Sequence, residues 1–255
     1  MDKNRVIIKP LLLGTFTPYA IILSACAALG LLLSWLLGGK DQEHFVDGGI
    51  ILALLMLIGA RLALVVRDFS YFQERPIEIP QLWLGGLSWF GTVLGAAAGI
   101  LLVHLIWKEP LGELVDSYLA FYGLMAAGIW LTGWGSQSGY GPTTESWFGI
   151  PVKDIFGQVK NRWPLPILGG VLSAAWTAGV IFFPLKRRMN PGFRGMMGVA
   201  GLILINGIAS FFRVDPAPSL WGLRYESWLS ILLFAGTLLY FYLIRPKDRN
   251  DPPAS

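Results

Sequence analysis

Residues 128–149 read GIWLTGWGSQSGYGPTTESWFG. The stretch begins inside an apolar run and then turns into glycines, Ser136, Gln137, Ser138, Tyr140, Thr143, Thr144 and Glu145. Backbone within a bilayer must satisfy its own polar groups, so a helix that dissolves into glycine is tolerated only where protein or a watery cavity receives it. Two readings follow. One is a flexible loop joining two helices. The other is a polar cavity opening into the membrane, where a lipid head group sits.

The rest of the chain supports the membrane setting. Hydrophobic residues make up 54% and charged residues 14% of the 255 positions, and mean hydropathy is +0.57. Soluble domains carry about 25% charged residues. The net charge of +4 is too small and too scattered for a nucleic-acid footprint, but it suits loops that touch anionic lipid. Cys26 is the single cysteine, so neither an internal disulfide nor a thiolate metal cluster can form. With only His44 and His104 as histidines, no zinc site and no other cofactor is expected.

Candidate spans fall at about 14–37, 48–66, 84–107, 116–134, 165–185, 195–212 and 227–244, each near the roughly 20 apolar residues a bilayer requires. They predict an all-α integral membrane protein with seven transmembrane helices in one domain, 1–244. A short polar tail, 245–255, is expected to be disordered. Trp83, Trp107, Trp163, Trp221 and Trp228 stand at span ends, where interfacial aromatics belong. Basic residues divide almost evenly between the two sides. The densest clusters, KRRMNPGFR (186–194) and RPKDR (245–249), share one side and favour a cytoplasmic C-terminus. Leu23-Ser24-Ala25-Cys26 has the form of a lipobox, but Ala27–Leu37 continues apolar and cleavage would halve the first span. Cys26 therefore reads as a small buried hydrophobe.

Few residues can carry chemistry. Arg61 sits deep in the second span, where a charge is expensive and is paired or functional. It either snorkels to the interface or turns its planar fork toward a lipid phosphate. His104 lies beside Trp107 and Lys108 at a span end and reads as interfacial. Asn206 and Ser210, one helical turn apart, either bond a neighbouring helix or face a ligand. Arg213 closes the sixth span with Asp215 two residues on, as an ion pair or a phosphate contact. The ladder Gly91-Gly95-Gly99 lets helices approach closely, with close approach to a ligand as the alternative.

The order of these features resembles bacterial prolipoprotein diacylglyceryl transferase, a seven-span family that moves diacylglycerol from phosphatidylglycerol onto a lipobox cysteine and releases glycerol phosphate. FTPYA with Tyr19, Gly59-Ala60-Arg61-Leu62, GGLSWFGTVLG with Gly91, and Asp116 resemble successive family segments. SGYGPTTESWFG, with Tyr140 and Gly141, resembles the signature region. PGFRGMMG, FFRVDP with Arg213, and ESWLSILLFAG resemble the last two spans and their flanks. The resemblance departs from the family at reactive positions. Phe90 stands for a histidine, Trp130 for an arginine, Gly133 for an asparagine and Ser138 for an acidic residue. Trp163 stands for a histidine, and Asn206 and Ser210 for an arginine and a glutamate.

The resemblance implies a multi-pass protein of the bacterial cytoplasmic membrane. Its partners would be phosphatidylglycerol and a lipobox-bearing preprolipoprotein. The reaction needs a thiolate nucleophile and donors on the departing phosphate. Arg61 and Arg213 remain to hold a phosphate, no matched base remains, and Glu145 is the carboxylate nearest the signature loop. Two functions stay open. One is a transferase whose lipid site is shaped by Tyr19, Arg61, Gly91, Tyr140, Gly141 and Arg213. The other is a non-catalytic relative that binds lipid or scaffolds other membrane subunits. A transporter is disfavoured, since it would place charges in several spans.

Overall fold

The structure, a computed structural model, describes residues 18–39, 43–81, 87–135, 138–153, 157–183 and 190–243. The expected polar tail lies outside these residues, as do Gly85, Gly86, Ser136, Gln137 and the side chain of Tyr19. Among the described residues, six helices are long and apolar enough to cross a membrane. They are α1 (Pro18–Ser34, continued by a π turn, Trp35–Gly39), α2 (Phe45–Arg67), α4 (Trp89–Trp107), α7 (Leu165–Phe182), α8 (Phe193–Phe212) and α9 (Tyr225–Leu243). The pair α5 (Leu111–Ser117) and α6 (Leu119–Gly135), bent by 53° where they meet, is together long and apolar enough for a seventh crossing. The chain is thus an all-α, multi-pass membrane protein.

The span expected at about 116–134 is carried by α6, and side chains satisfy the break that precedes it. The Asp116 carboxylate accepts from Gly192 N–H at 2.8 Å and Gly195 N–H at 2.6 Å, so it caps the start of α8. Tyr122 Oη donates to the Val115 and Gly195 carbonyls, at 2.9 and 3.0 Å. Tyr118 Oη donates to Phe45 O at 2.6 Å, and its ring stacks on Phe45. Polar groups at the break are therefore satisfied inside protein, as a bilayer demands.

Helices α2 and α4 meet along the glycine ladder. A Cβ at Gly91 would lie 2.2 Å from Gly59 O, and one at Gly95 would lie 2.1 Å from Leu55 O. Only the missing side chains allow the two backbones to touch. Helix α4 opens at Ser88, whose Oγ accepts from Gly91 N–H at 3.4 Å, and closes at left-handed Lys108 (φ 59°). His104 Nδ1 donates to Glu109 O there, a capping contact in keeping with the interfacial reading.

Between α2 and α4 run α3 (Phe69–Glu74) and a 3₁₀ turn, Pro76–Glu78. Between α6 and α7, after the glycine-rich stretch, comes a hairpin of β1 (Ile150–Lys153) and β2 (Val159–Arg162), paired antiparallel with Ile150 opposite Arg162. Thr144 N–H donates to Asn161 O at 2.9 Å, extending the pairing into the signature region. A second hairpin, β3 (Ser219–Leu220) with β4 (Leu223–Arg224), precedes α9. Its turn places Trp221 and Gly222 at positive φ.

Candidate functional site: a two-chamber cavity between helices

Two cavities adjoin inside the helix bundle. The smaller, the polar chamber, about 120 Å³, mixes charged and apolar side chains, and the larger, about 560 Å³, is walled mainly by apolar side chains. Trp89 and Ile129 line both. Four helices wall both cavities. On α4 the wall passes from Ser88 and Phe90 to Thr92, Ala96 and Ile100; on α6 it passes from Gly133 and Trp130 to Ala126 and Tyr122. On α8 it passes from Asn206 to Ile203 and Leu202; on α9 it passes from Tyr225 and Glu226 to Leu232, Leu233 and Gly236. Along α4 the apolar wall runs from Trp89 to Leu101, roughly 18 Å at 1.5 Å per residue. One leaflet of hydrocarbon is about 15 Å deep, half of the core thickness.

Charge collects at the polar end. Arg213 Nε donates to Asp215 Oδ1 at 3.0 Å and Nη2 to Oδ2 at 2.7 Å, while its Nη1 lies 3.5 Å from Glu226 Oε1. Arg224 closes the ring, 3.4 Å from Asp215 and 3.2 Å from Glu226. Burial acts to raise the Asp215 carboxyl, but the Arg213 hydrogen bond and the charges of Arg213 and Arg224 outweigh it and hold Asp215 below the ordinary value. Burial likewise works against the Arg213 charge, and the hydrogen bond and charge of Asp215, with Glu226, overcome it and raise the guanidinium. Arg67 also lines the cavity, with Nη1 donating to Tyr225 Oη at 3.0 Å and Nη2 to Asp68 at 2.6 Å.

Of the residues expected to shape a lipid site, Arg213 lines the polar cavity. Arg61 is 6% exposed and turns away from both chambers. Its Nε donates to Ile79 O at 2.8 Å, its Nη2 donates to Glu78 O, and the guanidinium stands over the Phe72 ring at 5.1 Å. It fastens the α2–α4 connector. Gly91 faces α2. Gly141 donates N–H to Trp163 O, and a Cβ there would lie 2.7 Å from Trp163 Cβ. Tyr140 is buried under the Arg162 guanidinium, 4.5 Å from its ring centre. Glu145 is exposed and lines neither chamber.

Of the seven positions at which the resemblance departs from the family pattern, five line the polar chamber. Phe90, Trp130, Gly133, Ser138 and Asn206 all line it. Asn206 Nδ2 donates to Ser230 Oγ at 3.1 Å, and Ser210 shares a 2.6 Å hydrogen bond with Ser227, so this pair does join α8 to α9. Trp163 stacks on Phe212 instead. Arg67, Tyr225 and Glu226 stand at helix ends, where a polar residue is ordinary and gives no signal in the sequence.

Comparison with known proteins agrees with this arrangement. A family model described as prolipoprotein diacylglyceryl transferase matches residues 11–243. A phosphatidylglycerol–prolipoprotein diacylglyceryl transferase of Streptomyces griseus is 24% identical, covering 86% of this chain and 72% of the relative. One from Chlamydia pneumoniae is 29% identical over 70% of this chain and 68% of its own length. One from Symbiobacterium thermophilum is 28% identical over 91% of each. The chain belongs to the prolipoprotein diacylglyceryl transferase family.

Proposed function

We propose that this protein transfers diacylglycerol from phosphatidylglycerol to the lipobox cysteine of a preprolipoprotein in the bacterial cytoplasmic membrane. The observation that carries the reading is the pair of adjoining chambers walled by α4, α6, α8 and α9, one edged by Arg67 and Arg213 and the other mainly apolar. That profile fits an amphiphile, with acyl chains in the larger chamber and the phosphate toward Arg67 and Arg213. The cysteine, its thiol proton given up to water, attacks as thiolate the carbon of the diacylglycerol moiety that bears the phosphate ester. A carbon–sulfur bond forms, the carbon–oxygen bond breaks, and glycerol phosphate leaves with the bonding pair. Guanidinium groups facing that phosphate lower the barrier by meeting charge as it develops. Arg61 contributes by holding the connector that leads into α4. The relatives share the name of an enzyme, which favours catalysis over a scaffolding role.

The test is direct. Protein in lipid nanodiscs is given phosphatidylglycerol radiolabelled in its acyl chains and a lipobox peptide. Label is expected on the peptide, and Arg213→Ala is expected to lower transfer at least tenfold. Absence of transfer by folded wild-type protein overturns the reading.

A further inference from the structure

The apolar chamber has a foot as well as a mouth. Helix α9 runs from one to the other: Tyr225 and Leu229 line the polar chamber, and Leu232, Gly236 and Tyr240 line the apolar one. The wall from Leu229 to Tyr240 is roughly 16 Å long at about 1.5 Å per residue. One leaflet of hydrocarbon, the depth that phospholipid acyl chains fill, is about 15 Å. The wall of the chamber therefore ends where an extended acyl chain of ordinary length ends.

Packed backbone stands behind the foot. Gly112 of α5 and Tyr240 of α9 both line the chamber there. A Cβ at Gly112 would lie 2.6 Å from Pro191 O, and one at Gly192 would lie 2.9 Å from Gly112 Cα and 2.6 Å from Tyr240 Oη. The start of α8 is thus wedged between α5 and α9. Asp116 fastens it by accepting from the Gly192 and Gly195 N–H groups. A close-packed, hydrogen-bonded stop yields little to a chain that is too long. A chain that is too short leaves a void and forfeits contacts with the wall. We propose that the apolar chamber selects its lipid by acyl length, with the foot at Gly112 and Tyr240 setting the longest chain that fits. This rests on the phospholipid part of the reading above and adds a preference among phosphatidylglycerols that share one head group.

The experiment equilibrates detergent-solubilised protein with an equimolar set of phosphatidylglycerols whose matched chains run from about 12 to about 22 carbons. Retained lipid is identified by mass spectrometry. Wild-type retention is expected to peak near chains of about 16 carbons, which span one leaflet. It should fall about tenfold at the longest, in line with overpacking a filled interior. Two variants move the foot without touching the charged mouth. Gly236 lines the chamber, and a Cβ there meets nothing within 4 Å. Gly236→Leu is expected to shift the peak about two carbons shorter by filling space the chain end would take. Tyr240→Ala should shift it about two carbons longer by opening a cavity at the foot. A flat wild-type profile overturns the proposal and means that chain ends pass out between helices into the bilayer. A peak that stays in place in either folded variant also overturns it. If one variant does not fold, the other decides; if neither folds, the wild-type profile decides. Transfer to a lipobox peptide is scored separately. Protein that shows the length peak yet transfers nothing keeps the selection and loses the functional reading, and protein that retains no phosphatidylglycerol loses both.

Discussion

Arg213 and Asp215 form a two-point ion pair, with Nε–Oδ1 at 3.0 Å and Nη2–Oδ2 at 2.7 Å, at the polar mouth of a cavity whose floor is apolar. Asp215 lies below its ordinary pKa, chiefly because Arg213 and Arg224 overcome its burial. A depressed carboxylate stabilises the fold above its unfolded value of about 3.9 and loses that contribution as pH falls through the folded value. Asp215→Asn is expected to cost roughly 3 kcal/mol at pH 7, as for a buried pair broken from one side. Melting curves in detergent from pH 7 down to pH 3 should show the wild-type advantage shrinking only below about pH 4. A gap that closes near pH 6 instead would point to another group.

Arg61 holds the connector by its fork to Glu78 and Ile79 carbonyls. Arg61→Ala is expected to destabilise by about 3 kcal/mol, the upper range for hydrogen bonds to a charged group. Arg61→Lys should recover only part, because an ammonium cannot reproduce a planar fork. Hydrogen exchange across 76–81 should quicken in Arg61→Ala. If exchange there is unchanged while lipid affinity drops, Arg61 acts on the lipid and not on the connector.

Gly91 and Gly179 offer a matched contrast. A methyl at Gly91 meets Gly59 O at 2.2 Å, and one at Gly179 meets nothing within 4 Å. Gly91→Ala is expected to cost about 2 kcal/mol through overpacking. Gly179→Ala, inside α7, should stabilise by about 0.5 kcal/mol from helix propensity. Two melting temperatures that move together would refute the close α2–α4 contact.

The apolar chamber can be filled without touching the charged mouth. Ala96→Phe projects a ring into it from α4. Binding of phosphatidylglycerol is expected to fall at least tenfold, while soluble glycerol phosphate, which has no acyl chains, should bind as before. Equal losses for both would show that the chamber does not hold the chains.

Much of this architecture was legible before any coordinates. A bilayer admits only structures that satisfy their own backbone, so long apolar runs had to be helices, and the Gly91-Gly95-Gly99 spacing named a packing face correctly. Fold class and span order were therefore set by local composition and periodicity. What tertiary structure alone decided is which polar groups meet. Arg61 and Arg67 are six residues apart and so roughly 120° apart around α2. The nearer cation to the centre of the sequence span faces the connector, and the one at its end faces the cavity. Arg213 and Glu226 come together only because the β3–β4 hairpin folds α9 back along α8. No period in a one-dimensional chain records such a meeting, because it depends on how separate helices are rotated and packed against one another.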